Sequence, residues 1–377
     1  MGTLTLILVA TLLCGQLAKR LNLPAVVLQI LAGVCLGPAV LGWVANTAFM
    51  QHLADIGVVL LMFMAGLSTR MAHLKVSAKT SLIVAIMGVV LPIGIFGLIG
   101  PLFRLSLLES YFIGVIFAAT SISISLVVLQ EFHALDRPAG SIILGAAVID
   151  DVLAIMALSI VASFMPVKQQ PLQLKLAGIL VFVVLAYLGY QYIIPWVLQF
   201  SRKSLVPHAV PISALMLAFT FAWLAETLGL SAVLGAFIAG LAMATTDSQN
   251  EVRQGLGPIS DHLFVPIFFV SIGVATSFAG LATDWRFLVT LLVLAVLTKW
   301  VGCGLGAKLM GVNHHDADLI GVAMISRGEM ALIVAKIGLN TQLVSSNRYA
   351  AIILVIMLTT LISPLWLKRL LVSEGGN

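Results

Sequence analysis

The chain has 377 residues, 61% of them hydrophobic and only 9% charged, against roughly 25% charged in an ordinary soluble domain. That composition excludes a soluble fold, and the net charge of +5 is scattered through short connections without building the basic face that a nucleic-acid partner needs. Cys14, Cys35 and Cys303 stand alone in apolar stretches, which excludes a disulfide framework and a zinc motif.

A bilayer core about 30 Å thick takes roughly 20 apolar residues per helix, and the chain divides into blocks of about that length. They lie near residues 3–18, 24–43, 53–69, 80–102, 108–130, 139–164, 174–199, 209–228, 230–245, 261–280, 286–308, 317–340 and 348–367. The expected fold class is therefore an all-α polytopic membrane protein of about thirteen segments. The first block has no basic segment before it and no small-residue cleavage site after it, so it reads as a membrane helix and not as a signal peptide. An odd count puts the two ends on opposite sides. Alternate connections hold Lys19, Arg20, Arg70, Lys75, Lys79, Arg137, Arg202, Lys203, Arg253, Lys308, Lys368 and Arg369, whereas the opposite set holds Arg104, Lys168, Lys175, Arg286 and Arg348. The positive-inside rule then places the N-terminus outside and the C-terminus in the cytoplasm of an inner-membrane protein.

Two stretches in these blocks resemble each other. Leu23 to Val34 (LPAVVLQILAGV) overlays Leu230 to Leu241 (LSAVLGAFIAGL) at a shift of 207 residues with five identities, and the same shift carries Gly66 onto Gly273 and Thr69 onto Thr276. The shift moves the chain by seven segments, an odd number, so the halves are inverted repeats. Segments five and twelve become partners, and both interrupt their apolar runs: one at Thr120, Ser121, Ser123 and Ser125, the other at Ser326, Arg327, Gly328 and Glu329. Interrupted helices at matching places point to an ion site at the midplane, where unwound carbonyls and helix ends can coordinate.

Ionisable groups lie deep in three segments: Asp150 with Asp151, Lys299, and Arg327 with Glu329. Each charge at a helix centre costs about 2.5–3.5 kcal/mol on insertion scales, so such residues have partners or a wet cavity. Arg327 and Glu329 balance in sign within a few residues and read as a structural ion pair. Neighbouring residues on a helix point about 100° apart, so Asp150 and Asp151 cannot share one partner in the same way; one can face a cationic helix while the other faces a cavity. A carboxylate in such a cavity can hold a proton or a cation, and competition between the two gives exchange. Oxygen ligands from Thr120, Ser121 and freed carbonyls suit a hard cation.

The stretch ATSISISLVVLQEFHALDRPAGSIILGAAVIDDVLAI, residues 118–154, resembles the broken helix and double-aspartate helix of the bacterial Na+/H+ antiporters of the monovalent cation:proton antiporter superfamily. RLNLPAVVLQILAGVCLGPAVLG, VVLLMFMAGLSTR, VPIFFVSIGV, TKWVG around Lys299 and ISRGEMALIVA resemble further segments in the same order. The resemblance implies two crossed discontinuous helices. It also implies a core domain of roughly residues 53–165 and 261–377, a dimerisation domain of roughly 1–52 and 200–245, a linking helix near 174–199, and elevator-like movement of a homodimer in lipid. Asp151 would be the principal carboxylate for Na+ and protons, Asp150 would form a salt bridge with Lys299, and Thr120 and Ser121 would lie at the helix crossing. The Asp pair with Lys is similar to the electrogenic branch. The implied protein is a secondary transporter and not an enzyme, with no cofactor beyond the transported Na+, Li+ and H+. No C-terminal nucleotide-binding domain is expected.

Several other signals carry blander readings. Gly302, Gly304 and Gly306 lack P-loop spacing and read as helix packing; His314 and His315 read as a polar connection, Glu226 as a surface residue and Lys336 as structural. The competing functions are a K+/H+ antiporter, an uncoupled cation channel or sensor, and an intramembrane aspartyl protease. A protease needs two carboxyls sharing a proton, which adjacent aspartates do not offer.

Overall fold

The computed structural model describes residues 2–21, 23–69, 71–135, 137–162, 164, 172–275 and 285–374. Regular structure among them is helical throughout. The helices are α1 (Gly2–Leu21), α2 (Ala25–Leu36), α3 (Ala48–Ser68), α4 (Met71–Ile99), α5 (Leu107–Ala118), α6 (Ile122–Glu131), α7 (Pro138–Ala162), α8 (Leu172–Leu188) and α9 (Ile194–Arg202). They continue with α10 (Ala209–Thr227), α11 (Ala232–Met243), α12 (Gln249–Ile259), α13 (Val265–Val274), α14 (Trp285–Leu309), α15 (His314–Ala323), α16 (Glu329–Asn340) and α17 (Ser346–Glu374). Among the described residues, ten helical stretches are long and apolar enough to cross a membrane, and Ala25–Leu36, Ala232–Met243 and Met330–Leu339 are shorter apolar helices.

Several boundaries differ from the sequence expectation, among them the start of α4, which lies at Met71 and not near residue 80. Segment two ends at Leu36, because Gly37 precedes Pro38 and takes an extended conformation that cannot continue a helix. Segment ten starts earlier: α12 runs through the polar stretch from Gln249 and joins α13 through a π-helical turn at Ser260–Phe264, giving one apolar stretch, Gln249–Val274. Polar residues on one face of a long helix looked like a connection in the sequence.

The chain forms two compact units. The first comprises Met1–Val9, Asn46–His73 and Gln170–Ser271; in it α11 packs closely against α3 and α10. The second comprises Ala10–Ala45, Leu74–Gln169 and Ile272–Asn377. Its core is Phe112, Ile116 and Phe117 of α5 with buried residues of α7, α14, α16 and α17.

The 207-residue shift reappears as a set of duplicated contacts. Leu23 N–H donates to the Ala18 carbonyl at 2.9 Å, and Leu230 N–H to that of Ala225 at 2.8 Å. A Cβ at Gly66 would collide with the Phe237 carbonyl oxygen and lie 2.8 Å from the Leu241 nitrogen; at Gly273 it would collide with the carbonyl oxygen of Ile30 and lie 2.6 Å from the Val34 nitrogen. Gly114 lies against the backbone of Ile93, and Gly321 against that of Trp300. At the end of α4, Arg104 takes a left-handed conformation (φ 57°), and Gly311 does so after α14 (φ 80°). Ser106 and Asn313 then cap α5 and α15 by accepting from the backbone of Glu109 (3.1 Å) and Asp316 (2.8 Å). Every one of these pairs is 207 residues apart. Thr276, the expected mate of Thr69, lies outside the described residues.

Candidate functional site

The helical hydrogen-bond ladder stops at Ala118 and resumes at Ile122; in the partner segment it stops at Ala323 and resumes at Glu329. The two gaps touch. Ser121 N–H donates to the Ser326 carbonyl at 2.9 Å, and Ser326 Oγ donates back to the Ser121 carbonyl at 2.6 Å. Ser125 Oγ donates to the Ala323 carbonyl at 2.5 Å and lies 3.1 Å from Ser326 Oγ. Gly328 permits this approach, because a Cβ there would sit 2.5 Å from Ser121 Oγ. Backbone groups orphaned at a helix end must be satisfied by other donors and acceptors, and the serines of each break serve the other.

Arg327 supplies the rest. Its guanidinium is fully buried and donates to the carbonyls of Met324 (3.0 Å) and Ile325 (2.6 Å) at the C-terminal end of α15, and to Ala295 on α14 (3.0 Å). A cation there also complements the negative end of the helix dipole. Thr360 Oγ1 on α17 donates to the Arg327 carbonyl at 2.6 Å. The side chain of Glu329 lies outside those described, so the expected Arg327–Glu329 pair has one end there.

Asp150 and Lys299 are both fully buried, and Lys299 Nζ donates to Asp150 Oδ1 at 2.9 Å. The salt bridge named in the sequence is therefore a contact in the structure. It ties α7, which packs against α5, α6 and α15, to α14. Asp151, one residue on, is half-buried. Buried oxygens at the site have no protein hydrogen-bond partner among the described residues: Thr120 Oγ1, Ser121 Oγ, Ser123 Oγ and Asp150 Oδ2. Unpaired buried polar atoms are costly, and hydroxyl and carboxylate oxygens are by their chemistry donors for a hard cation, unlike the thiolate or imidazole of a transition-metal site. No group of three or more His, Cys, Asp or Glu side chains among the described residues could hold a metal ion.

Sequence reasoning did not single out Ser123 as a site residue, nor Glu109 and Arg348. Arg348 Nη1 donates to both carboxylate oxygens of the buried Glu109, at 2.8 and 2.7 Å, joining the start of α5 to the start of α17. A Glu three residues after a capping Ser was the available signal; its partner lies 239 residues away. Glu226 and Lys336 are exposed, and Gly302 and Gly306 pack on Met87 and Val84 of α4; His314 and His315, expected in a connection, instead open α15, where His314 is exposed and His315 is half-buried with Nε2 3.2 Å from the Leu370 carbonyl oxygen.

The family described as "Sodium/hydrogen exchanger, transmembrane" matches residues 5–373. The chain is 39% identical to a Na(+)/H(+) antiporter of Enterococcus hirae, over 97% of each. It is 37% identical to a Na(+)/H(+)-K(+) antiporter of Bacillus cereus, over 97% of this chain and 94% of that one. Its fold is similar to that of a sodium proton antiporter from Methanocaldococcus jannaschii, with a TM-score of 0.71 at 18% identity, covering 100% of this chain and 98% of the other.

Proposed function

Since the chain belongs to the sodium/hydrogen exchanger family of multi-pass membrane transporters, we propose that it exchanges Na+, and with it Li+, for protons across the cytoplasmic membrane. The observation that carries this reading is the fully buried Asp150–Lys299 pair on helices that pack around a crossing of unpartnered hydroxyls. A carboxylate and several neutral oxygens can hold a monovalent cation or, once it leaves, a proton.

In this mechanism Asp151, half-buried where Asp150 is fully buried, is the carboxylate that carries cation or proton. Thr120 and Ser121 present hydroxyls toward the same event. Asp150 holds Lys299, and release of that bridge during the cycle would move an additional charge and make exchange electrogenic. The pair exists because neither partner is stable alone: attraction in a low-dielectric interior offsets the desolvation of two charges only when both are present. Thirteen crossings, an external N-terminus, a homodimer and elevator-like movement belong to the same proposal. A K+-transporting variant is the second reading, favoured by the relative whose name includes K+ as well as Na+. Family membership removes the protease alternative.

The test is a proteoliposome assay with an imposed pH gradient and an internal pH-sensitive dye, to which Na+, Li+ or K+ is added in turn. Dequenching by Na+ and Li+ that disappears in Asp151→Asn is expected. Dequenching by K+ alone would replace the substrate, and exchange retained in Asp151→Asn would overturn the site assignment.

A further inference from the structure

Gly88, in the middle of α4, faces α14 in a way that differs from the other close approaches between these helices. Gly302 and Gly306 of α14 lie against backbone atoms of Met87 and Val84, as expected where two helix backbones come together. Gly88 is buried against two side-chain tips: a Cβ there would lie 2.6 Å from Cys303 Sγ and 3.2 Å from Lys299 Nζ, with Lys299 Cδ at 3.7 Å. The missing methyl group of Gly88 thus leaves room for Cys303 Sγ and, at its edge, for the ammonium that holds Asp150 at 2.9 Å.

The repeat strengthens this reading. The 207-residue shift carries Gly88 onto Ala295, and Pro92 and Phe96 of α4 onto Lys299 and Cys303 of α14. Where the counterparts are Pro92 and Phe96, the chain carries a Cβ; Ala295 is fully buried in the same apolar cluster as Phe96. Where they are Lys299 and Cys303, the chain has a glycine, despite the roughly 1 kcal/mol that glycine costs in a helix interior relative to alanine. We propose that Gly88 is a positioning residue that seats the Lys299 ammonium on Asp150. This deepens the function proposed above and rests on it for the exchange readout alone.

The mechanism is steric. An alanine at 88 pushes on Sγ, which sits one bond from its own Cβ and can yield by rotation about χ1, and on Nζ, which ends a flexible stem and can leave Asp150. Gly94, on the same helix, has nothing within 4 Å of a Cβ, so Gly94→Ala controls for the gain in helix propensity.

The experiment compares Gly88→Ala, Cys303→Ala, Gly88→Ala with Cys303→Ala, and Gly94→Ala in purified full-length protein. Two readouts are taken: the pH at half-maximal exchange in proteoliposomes, and the drop in melting temperature caused by adding Asp150→Asn to each background. In Gly88→Ala the pH midpoint is expected to move and the penalty of Asp150→Asn to shrink, because the bridge is already displaced. Cys303→Ala and Gly94→Ala are expected to match the parent in both. If Gly88→Ala fails to fold, the double variant decides, since it removes the Sγ collision and keeps the 3.2 Å approach to Nζ. A folded Gly88 variant with an unmoved pH midpoint and a full Asp150→Asn penalty overturns the proposal. If the parent protein shows no exchange with any cation, the proposed function fails, and the melting comparison alone still decides whether Gly88 seats the lysine.

Discussion

The first half of the repeat has Pro92 in α4 and Thr120 in the break before α6; at the same positions the second half has Lys299 in α14 and Arg327 before α16. Around these differences the halves keep the same closely packed glycines, the same left-handed turn and the same capped helix start. The close backbone contacts are duplicated, whereas Lys299 and Arg327 are buried charges that the first half lacks. The scaffold thus reads as a register shared by two copies, while the chemistry resides in departures from it. The Asp150–Lys299 bridge has no counterpart, since the shift carries Asp150 onto Met357.

The largest expected effect falls on that unduplicated pair. Lys299→Ala leaves Asp150 buried without its cation and is expected to cost about 3–5 kcal/mol, read as a large fall in melting temperature in detergent. Replacing both, as Asp150→Leu with Lys299→Met, is expected to recover most of the loss, because apolar substitutes for a buried pair are often neutral. A Lys299→Ala protein as stable as the parent would mean that the carboxylate is held by something other than the lysine, and the contrast between the halves would lose its main term.

The next effect tests the duplicated part. Gly66→Ala and Gly273→Ala each push a methyl group into a carbonyl oxygen of the facing helix, and overpacking of this kind costs about 1–3 kcal/mol, occasionally more. The two losses are expected to be similar, with exchange by the surviving folded protein keeping its pH profile. A severe loss in one and none in the other, measured by thermal unfolding, would mean that the shared register does not carry shared energetics.

Much of this contrast was legible in the residues. The shift of 207 came from a twelve-residue overlay and two further positions, and it held through turns, caps and glycine contacts never compared in the sequence. Asp150 and Lys299 were identifiable because a charge amid apolar residues is conspicuous and calls for a partner. Glu109 and Arg348 escaped notice because each sits near a segment end, where charge is ordinary; their pairing depends on α5 and α17 meeting. Arg327 was read as half of an ion pair with Glu329 at the second break, but its described partners are carbonyls, which sequence cannot nominate because every residue has one. The start of α12 was missed for a related reason: Asn250, Arg253 and Gln254 read as a connection, although they belong to a helix that continues to α13.

The smallest effect lies at the helix starts, where the two halves use one device with different residues. Ser106→Ala and Asn313→Ala each remove a capping acceptor, which costs about 0.5–2 kcal/mol. The caps are not identical, because Asn313 Nδ2 also donates to Asp316 Oδ2 at 2.7 Å, whereas Glu109, the matching acid, is held by Arg348 from α17. Asn313→Ser keeps a capping oxygen and removes only the amide donor. Its melting temperature is therefore expected to fall between those of the parent and Asn313→Ala, while Ser106→Asn, the reciprocal exchange, gains little because Glu109 already has both oxygens engaged. If Ser106→Asn stabilises as much as Asn313→Ser destabilises, the two starts are interchangeable and Arg348 contributes nothing that a local cap cannot. The asymmetric outcome would mean that even at a duplicated position the second helix start relies on its own chain neighbours, and the first on a residue from the far end of the chain.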